Sequence, residues 1–176
     1  MPELLLTFVQ RYIKDPRGFE AKLSGRCVLM YEPPLTPITP ESDDDEDSAA
    51  FRFRTFSGIT GTAIGGGDPT VAYLEKSKDN AFQRRVTLGR TGNNDIEIDT
   101  GSVSRFHAWF ARDEKTDAWT IVDAGSKNGT EVAGVKLKPK VPHLLTNGAR
   151  VKVGQVELTF FTAEGFLAQL KRRAAR

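Results

Sequence analysis

From Thr70 to Phe161, hydrophobic and polar residues alternate in short runs separated by turn residues. The runs cover 71–75, 85–88, 95–98, 107–112, 118–122, 130–132, 150–153 and 156–161. Asn93-Asn94, Gly101, Asn128-Gly129, Gly134 and Asn147-Gly148 fall in the breaks. Strands this closely spaced, with no helical period between them, predict an all-β sandwich. Helical spacing occurs near the two ends. Leu5, Phe8, Val9, Tyr12 and Ile13 predict an amphipathic helix within residues 3–15, ended by Pro16 and Gly18. Phe166, Leu167 and Leu170 share one face of a second helix within 163–173, and its basic end suits a helix C-terminus. Residues 26–31 have the composition of a strand but no evident hairpin partner.

The stretch between the first helix and the alternating region has a different character. Residues 32–40 hold four prolines and residues 43–47 are all acidic, the composition of an extended linker. Residues 51–56 alternate with period two and read as a strand. The cluster Gly65-Gly66-Gly67 lacks the Lys-Ser/Thr and following helix of a P-loop, so it reads as a turn. Four segments are expected. They are an N-terminal helical segment and linker (1–49), a strand and Gly-rich connector (50–69), the β-domain (70–163) and a C-terminal helix (164–176).

Charge sharpens this division. Residues 1–50 hold five Lys/Arg and ten Asp/Glu, a net of −5, whereas residues 51–176 hold twenty and thirteen, a net of +7. A basic domain with an acidic arm suits an anionic ligand or self-association through the arm. The single Cys27 excludes an internal disulfide and fits a reducing, cytoplasmic setting. No apolar run approaches the ~18 residues of a membrane span. Two histidines and one cysteine, dispersed, make no recognisable metal site. No catalytic triad or paired acid–base motif is legible, so no catalytic residue and no cofactor is expected. The basic residues carry no nucleic-acid reading motif and do not interleave with aromatics along the chain, so nucleic acid is not an expected partner.

Three short blocks supply the candidate chemistry: Val86-Thr87-Leu88-Gly89-Arg90, Ser104-Arg105-Phe106-His107 and Ser126-Lys127-Asn128-Gly129-Thr130. An arginine fork, a hydroxyl and an amide suit a phosphate ester on a peptide. In order and spacing these blocks resemble the forkhead-associated (FHA) domain family over roughly residues 70–163, and Leu145–Gly148 with Val151–Gly154 resembles its closing hairpin. The resemblance implies an FHA-type β-sandwich, here with short N- and C-terminal helices, that reads phosphothreonine peptides. By that resemblance Arg90 and Ser104 bind phosphate, Arg105 adds a contact, and Asn128 holds the peptide backbone. His107 braces the loops from behind, with Gly89 and Gly129 supporting the turns. Lys127 stands where the family often has threonine, placing a cation at the rim. Ala133 stands where it often has asparagine, in a turn away from the site.

Bland roles remain open for the same residues. Arg90 could pair with Asp95, Ser104 could cap its own loop, and Asn128-Gly129 could simply turn the chain. The partners implied are phosphothreonine proteins, either Ser/Thr-kinase substrates or the kinase itself. Thr36 and Thr39 in the linker, each followed by proline, offer a route to self-association if phosphorylated. The alternative function is a phosphate-independent structural subunit of a larger assembly.

Overall fold

The computed structural model describes residues 3–32, 69–77, 80, 82 and 84–175. The proline-rich, acidic, 51–56 and glycine-rich stretches, with Thr36 and Thr39, lie outside the described residues. In chain order the elements are β1 (Glu3–Leu4), α1 (Leu5–Lys14), α2 (Pro16–Leu23), β2 (Val28–Tyr31), β3 (Thr70–Tyr73), β4 (Val86–Gly89), β5 (Ile96–Glu97) and β6 (Ala108–Arg112). Then follow β7 (Trp119–Asp123), β8 (Thr130–Val132), β9 (Val135–Lys136), β10 (His143–Leu145), β11 (Arg150–Val153), β12 (Val156–Phe161) and α3 (Ala163–Ala174). Two sheets form the expected sandwich, in the orders β1-β3-β2-β12-β11-β8-β9 and β10-β7-β6-β4-β5. Every pairing is antiparallel except β4 with β5. Among the described residues, no helix is long and apolar enough to cross a membrane.

The core between the sheets follows the period of two. Leu88, Ala108, Phe110 and Ile121 from the five-stranded sheet meet Leu29, Val151, Val153, Leu158 and Phe160 from the other. A second core lies on the far side of the seven-stranded sheet. There Leu5, Phe8 and Val9 of α1, Phe19 and Leu23 of α2, and Phe166 and Leu170 of α3 pack on Val28, Met30, Val71 and Phe161. Phe8 sits at its centre, with ring centroids 5.5 Å from Phe166 and 6.3 Å from Phe19, both edge-on.

Three features depart from expectation. The first helix ends at Lys14, just before Pro16 as expected, but a second helix that was not expected starts there: Asp15 accepts a hydrogen bond from the Gly18 N–H (3.0 Å) and caps α2, with Pro16 in its first turn. Proline is harmless there because that N–H has no helical partner anyway. Residues 28–31 do have partners, but distant ones: Leu29 pairs with Ala72 and with Phe160. Buried on both faces, this strand shows a continuous apolar run instead of alternation. The sheet therefore includes β1 and β2, from the stretch expected to be a separate appendage over 1–49, so the folded unit begins well before residue 70.

Candidate functional site

The loops after β4, β5 and β7 converge at one end of the sandwich, and buried polar groups hold them together. Gly89 ends β4 so close to the next loop that a Cβ there would overlap the Arg105 carbonyl oxygen and lie 2.7 Å from Asn94 Nδ2. The chain then turns, and the Arg90 N–H donates to the Ser104 carbonyl (2.9 Å). Asn94 Nδ2 donates to the carbonyls of Arg105 (2.7 Å) and Thr91 (2.8 Å), locking the two loops to each other.

His107 is fully buried beneath them. Its Nδ1 accepts from the Ser104 N–H (3.0 Å), which leaves the proton on Nε2 to donate to the Gly129 carbonyl (3.1 Å). Burial pushes its pKa below the usual value, outweighing the Gly129 carbonyl and the Asp123 charge, so the ring is neutral. One imidazole thus connects the Ser104 loop to the Asn128 loop. Asp123 shapes the latter: its carboxylate accepts from the N–H groups of Gly125 (2.8 Å) and Ser126 (3.0 Å) and from the hydroxyls of Ser126 and Thr130 (both 2.6 Å). Burial alone would raise the Asp123 pKa, but these donors outweigh it and hold the carboxyl below its ordinary range.

On this frame the expected ligand groups come together. Ser104 Oγ accepts from the Lys127 N–H (3.0 Å), so its own proton is available to a ligand. Asn128 Nδ2 donates to the Ser102 carbonyl (2.8 Å), fixing an exposed amide whose oxygen can accept from a peptide N–H. The side chains of Arg90, Arg105 and Lys127 make no hydrogen bond or ion pair among the described residues. Asp95, weighed as a partner for Arg90, is committed elsewhere. It accepts from Lys76 Nζ (3.0 Å) and from the N–H groups of Ser77 (2.8 Å) and Thr87 (2.7 Å). Asp95 is therefore not the partner of Arg90.

Ser102, Asn94, Asp123 and Lys136 belong to the site without having been singled out from sequence. Lys136 reaches over the Asn128 loop, its Cε 2.7 Å from where a Gly129 Cβ would stand. Strand pairing carries it there, since Glu131 of β8 pairs with Lys136 of β9. No local motif marks it.

The arrangement can hold an anion but does not pair a nucleophile with a base. His107 Nδ1 faces the Ser104 backbone, not its hydroxyl, and Nε2 faces Gly129. The Cys27 thiol is buried, and that burial pushes its pKa up to about 11. Among the described residues no group of three or more His, Cys, Asp or Glu could hold a metal ion.

Comparison with known proteins bears on the family. A family model described as the FHA domain matches residues 86–154. The glycogen accumulation regulator GarA of Mycolicibacterium smegmatis is 36% identical over 124 residues, covering 67% of this chain and 73% of that protein. The oxoglutarate dehydrogenase inhibitor of Corynebacterium jeikeium is 38% identical over 78 residues, covering 44% of this chain and about half (51%) of the relative's length. Among solved structures, the N-terminal FHA domain of S. cerevisiae Rad53p in complex with a phosphothreonine peptide is 20% identical, with a TM-score of 0.46 over 56% of this chain and 89% of that one. With the three blocks on one buried frame, and with GarA matched over most of its length, the chain belongs to the FHA domain family.

Proposed function

We propose that this protein is a non-catalytic reader of phosphothreonine that docks phosphorylated proteins, either Ser/Thr-kinase substrates or the kinase itself, in the cytoplasm. One observation carries the reading. The loops that carry Arg90, Ser104 and Asn128 are tied to one another: the Arg90 N–H donates to the Ser104 carbonyl, Ser104 Oγ accepts from the N–H of Lys127 next to Asn128, and His107 bridges the Ser104 and Gly129 backbones. A phosphate ester brings about −1.5 to −2 charges and three acceptor oxygens, which such donors match. Two relatives carry the names of an inhibitor and a regulator, which supports action on a partner protein instead of chemistry on a substrate.

Calorimetric titration of one peptide with and without its phosphate tests this. Only the phosphorylated form binds, and Arg90→Ala loses about 2–5 kcal/mol while the fold, read by circular dichroism, is unchanged. Equal affinity for both peptides would instead make the protein a phosphate-independent structural subunit.

Self-association belongs to the same reading. A phosphate on Thr36 or Thr39 would be a tethered ligand at an effective concentration on the order of millimolar, or would bridge two copies. Phosphorylating the linker then blocks an external phosphopeptide or doubles the mass in solution. If neither happens, the linker is a spacer.

A further inference from the structure

The outer face of the five-stranded sheet carries three aromatic rings that neither core uses. Phe106 directly follows Arg105, and its ring is nearly parallel to those of Phe82 (centroids 5.8 Å apart, 7°) and Trp109 (5.9 Å, 6°). Register places Trp109 on the outer face beside Thr87 and Val122. The Arg85 guanidinium lies 4.8 Å from the Trp109 ring centroid. Phe82 is 52% exposed and Phe106 39%.

Single exposed apolar residues are ordinary, but Phe82 is held in place. Its N–H donates to Asn80 Oδ1 (3.0 Å), and Asn80 Nδ2 donates to Asp95 (3.0 Å). The Asp95 side chain is wholly buried and also takes Lys76 Nζ and the backbone N–H groups of Ser77 and Thr87. A buried carboxylate thus anchors the β3–β4 connection so that an exposed ring lies parallel to another beside the phosphate-binding loop.

We propose that the Phe82–Phe106–Trp109 shelf is a second reading subsite for the phosphopeptide. It takes an aromatic side chain that flanks the phosphothreonine on the side away from Asn128. This rests on the phosphothreonine reading above. Continuity with the Arg105 loop argues for the same peptide as occupant, because Phe106 and Arg105 are adjacent and an extended chain advances only ~3.3 Å per residue. Arg85 over the Trp109 ring and Arg105 next to Phe106 disfavour a basic side chain, whereas a further ring can stack on the exposed Phe82.

The test scans one phenylalanine through the positions flanking the phosphothreonine of an otherwise alanine peptide, with affinity read by calorimetry. In the wild type one position gains about three- to tenfold. Phe106→Ala and Phe82→Ala remove that gain and leave the affinity of the all-alanine phosphopeptide unchanged. A flat scan in the wild type, or a gain that survives both substitutions, overturns the subsite alone. A flat scan together with oligothymidylate binding that Phe106→Ala abolishes assigns the rings to single-stranded nucleic acid and likewise overturns it. Absence of any phosphate-dependent binding overturns the parent reading and the subsite with it.

Discussion

Ala133 and Gly134 join β8 to β9 in a two-residue turn in which both have positive φ, 50° and 81°. A hairpin of this kind suits the sheet twist but places an L-residue in the left-handed region, where asparagine is tolerated better than alanine. Ala133→Asn should therefore raise stability by about 0.5–1 kcal/mol, or roughly 2 °C in Tm. It keeps the backbone N–H that donates to the Arg150 carbonyl (2.9 Å). Thermal melts checked against wild type decide it, and an unchanged or lower Tm would show that the turn carries no such strain. At this scale the sequence singles out Arg90, Ser104 and Asn128, because each stands in a short motif. Asn94 and Asp123 were not, since an asparagine or aspartate at a strand end looks the same whether or not it latches a distant loop. Their partners become visible only when the Arg105 carbonyl and the Thr130 hydroxyl are in place.

The three helices act as a lid on a sheet that would otherwise expose Val28, Met30, Val71 and Phe161. Phe8 is the residue they share, completely buried and in contact with rings from α2, α3 and β3. Phe8→Ala leaves a cavity and should cost about 3–5 kcal/mol. A urea midpoint within error of wild type would show that the helices are dispensable to the fold. The loops of Arg90, Ser104 and Asn128 are held by partners outside this layer, so phosphopeptide affinity below the melting range should persist. Most strands were legible because alternation marks a strand with one buried face. β2 hid its place because both its faces are buried, while β9 has no buried residue and β10 buries only Leu145, so neither shows an alternation. α2 was not expected because Pro16, which follows the end of the first helix, also opens the second.

For the molecule as a whole, buried ionisable groups set the response to acid. Folding holds the His107 pKa below 6.5, so the unfolded chain takes up that proton first as pH falls through 6.5, and stability declines from there toward the folded-state value. Asp95 and Asp123 are held below 3.8, so their contribution is whole above that pH and is lost as pH falls further, through their folded-state values. For Asp95, burial raises the pKa, but the Thr87 and Ser77 N–H groups and Lys76 outweigh it. Urea midpoints measured from pH 8 downward should fall first below about 6.5, and His107→Gln should flatten that first decline. Parallel curves for the two proteins would assign it to another group. The doubly buried strand β2 has a further consequence, in the order of synthesis. Its Leu29 pairs with Phe160, and its outer face is covered partly by α3. While the chain is being made, a four-residue apolar strand therefore emerges early and has an open edge until residue 161 is in place. Long-range pairing of this kind slows folding and leaves an aggregation-prone surface in the interim. The acidic run at residues 43–47 follows β2 closely in the nascent chain, where like charge keeps neighbouring unfinished copies apart.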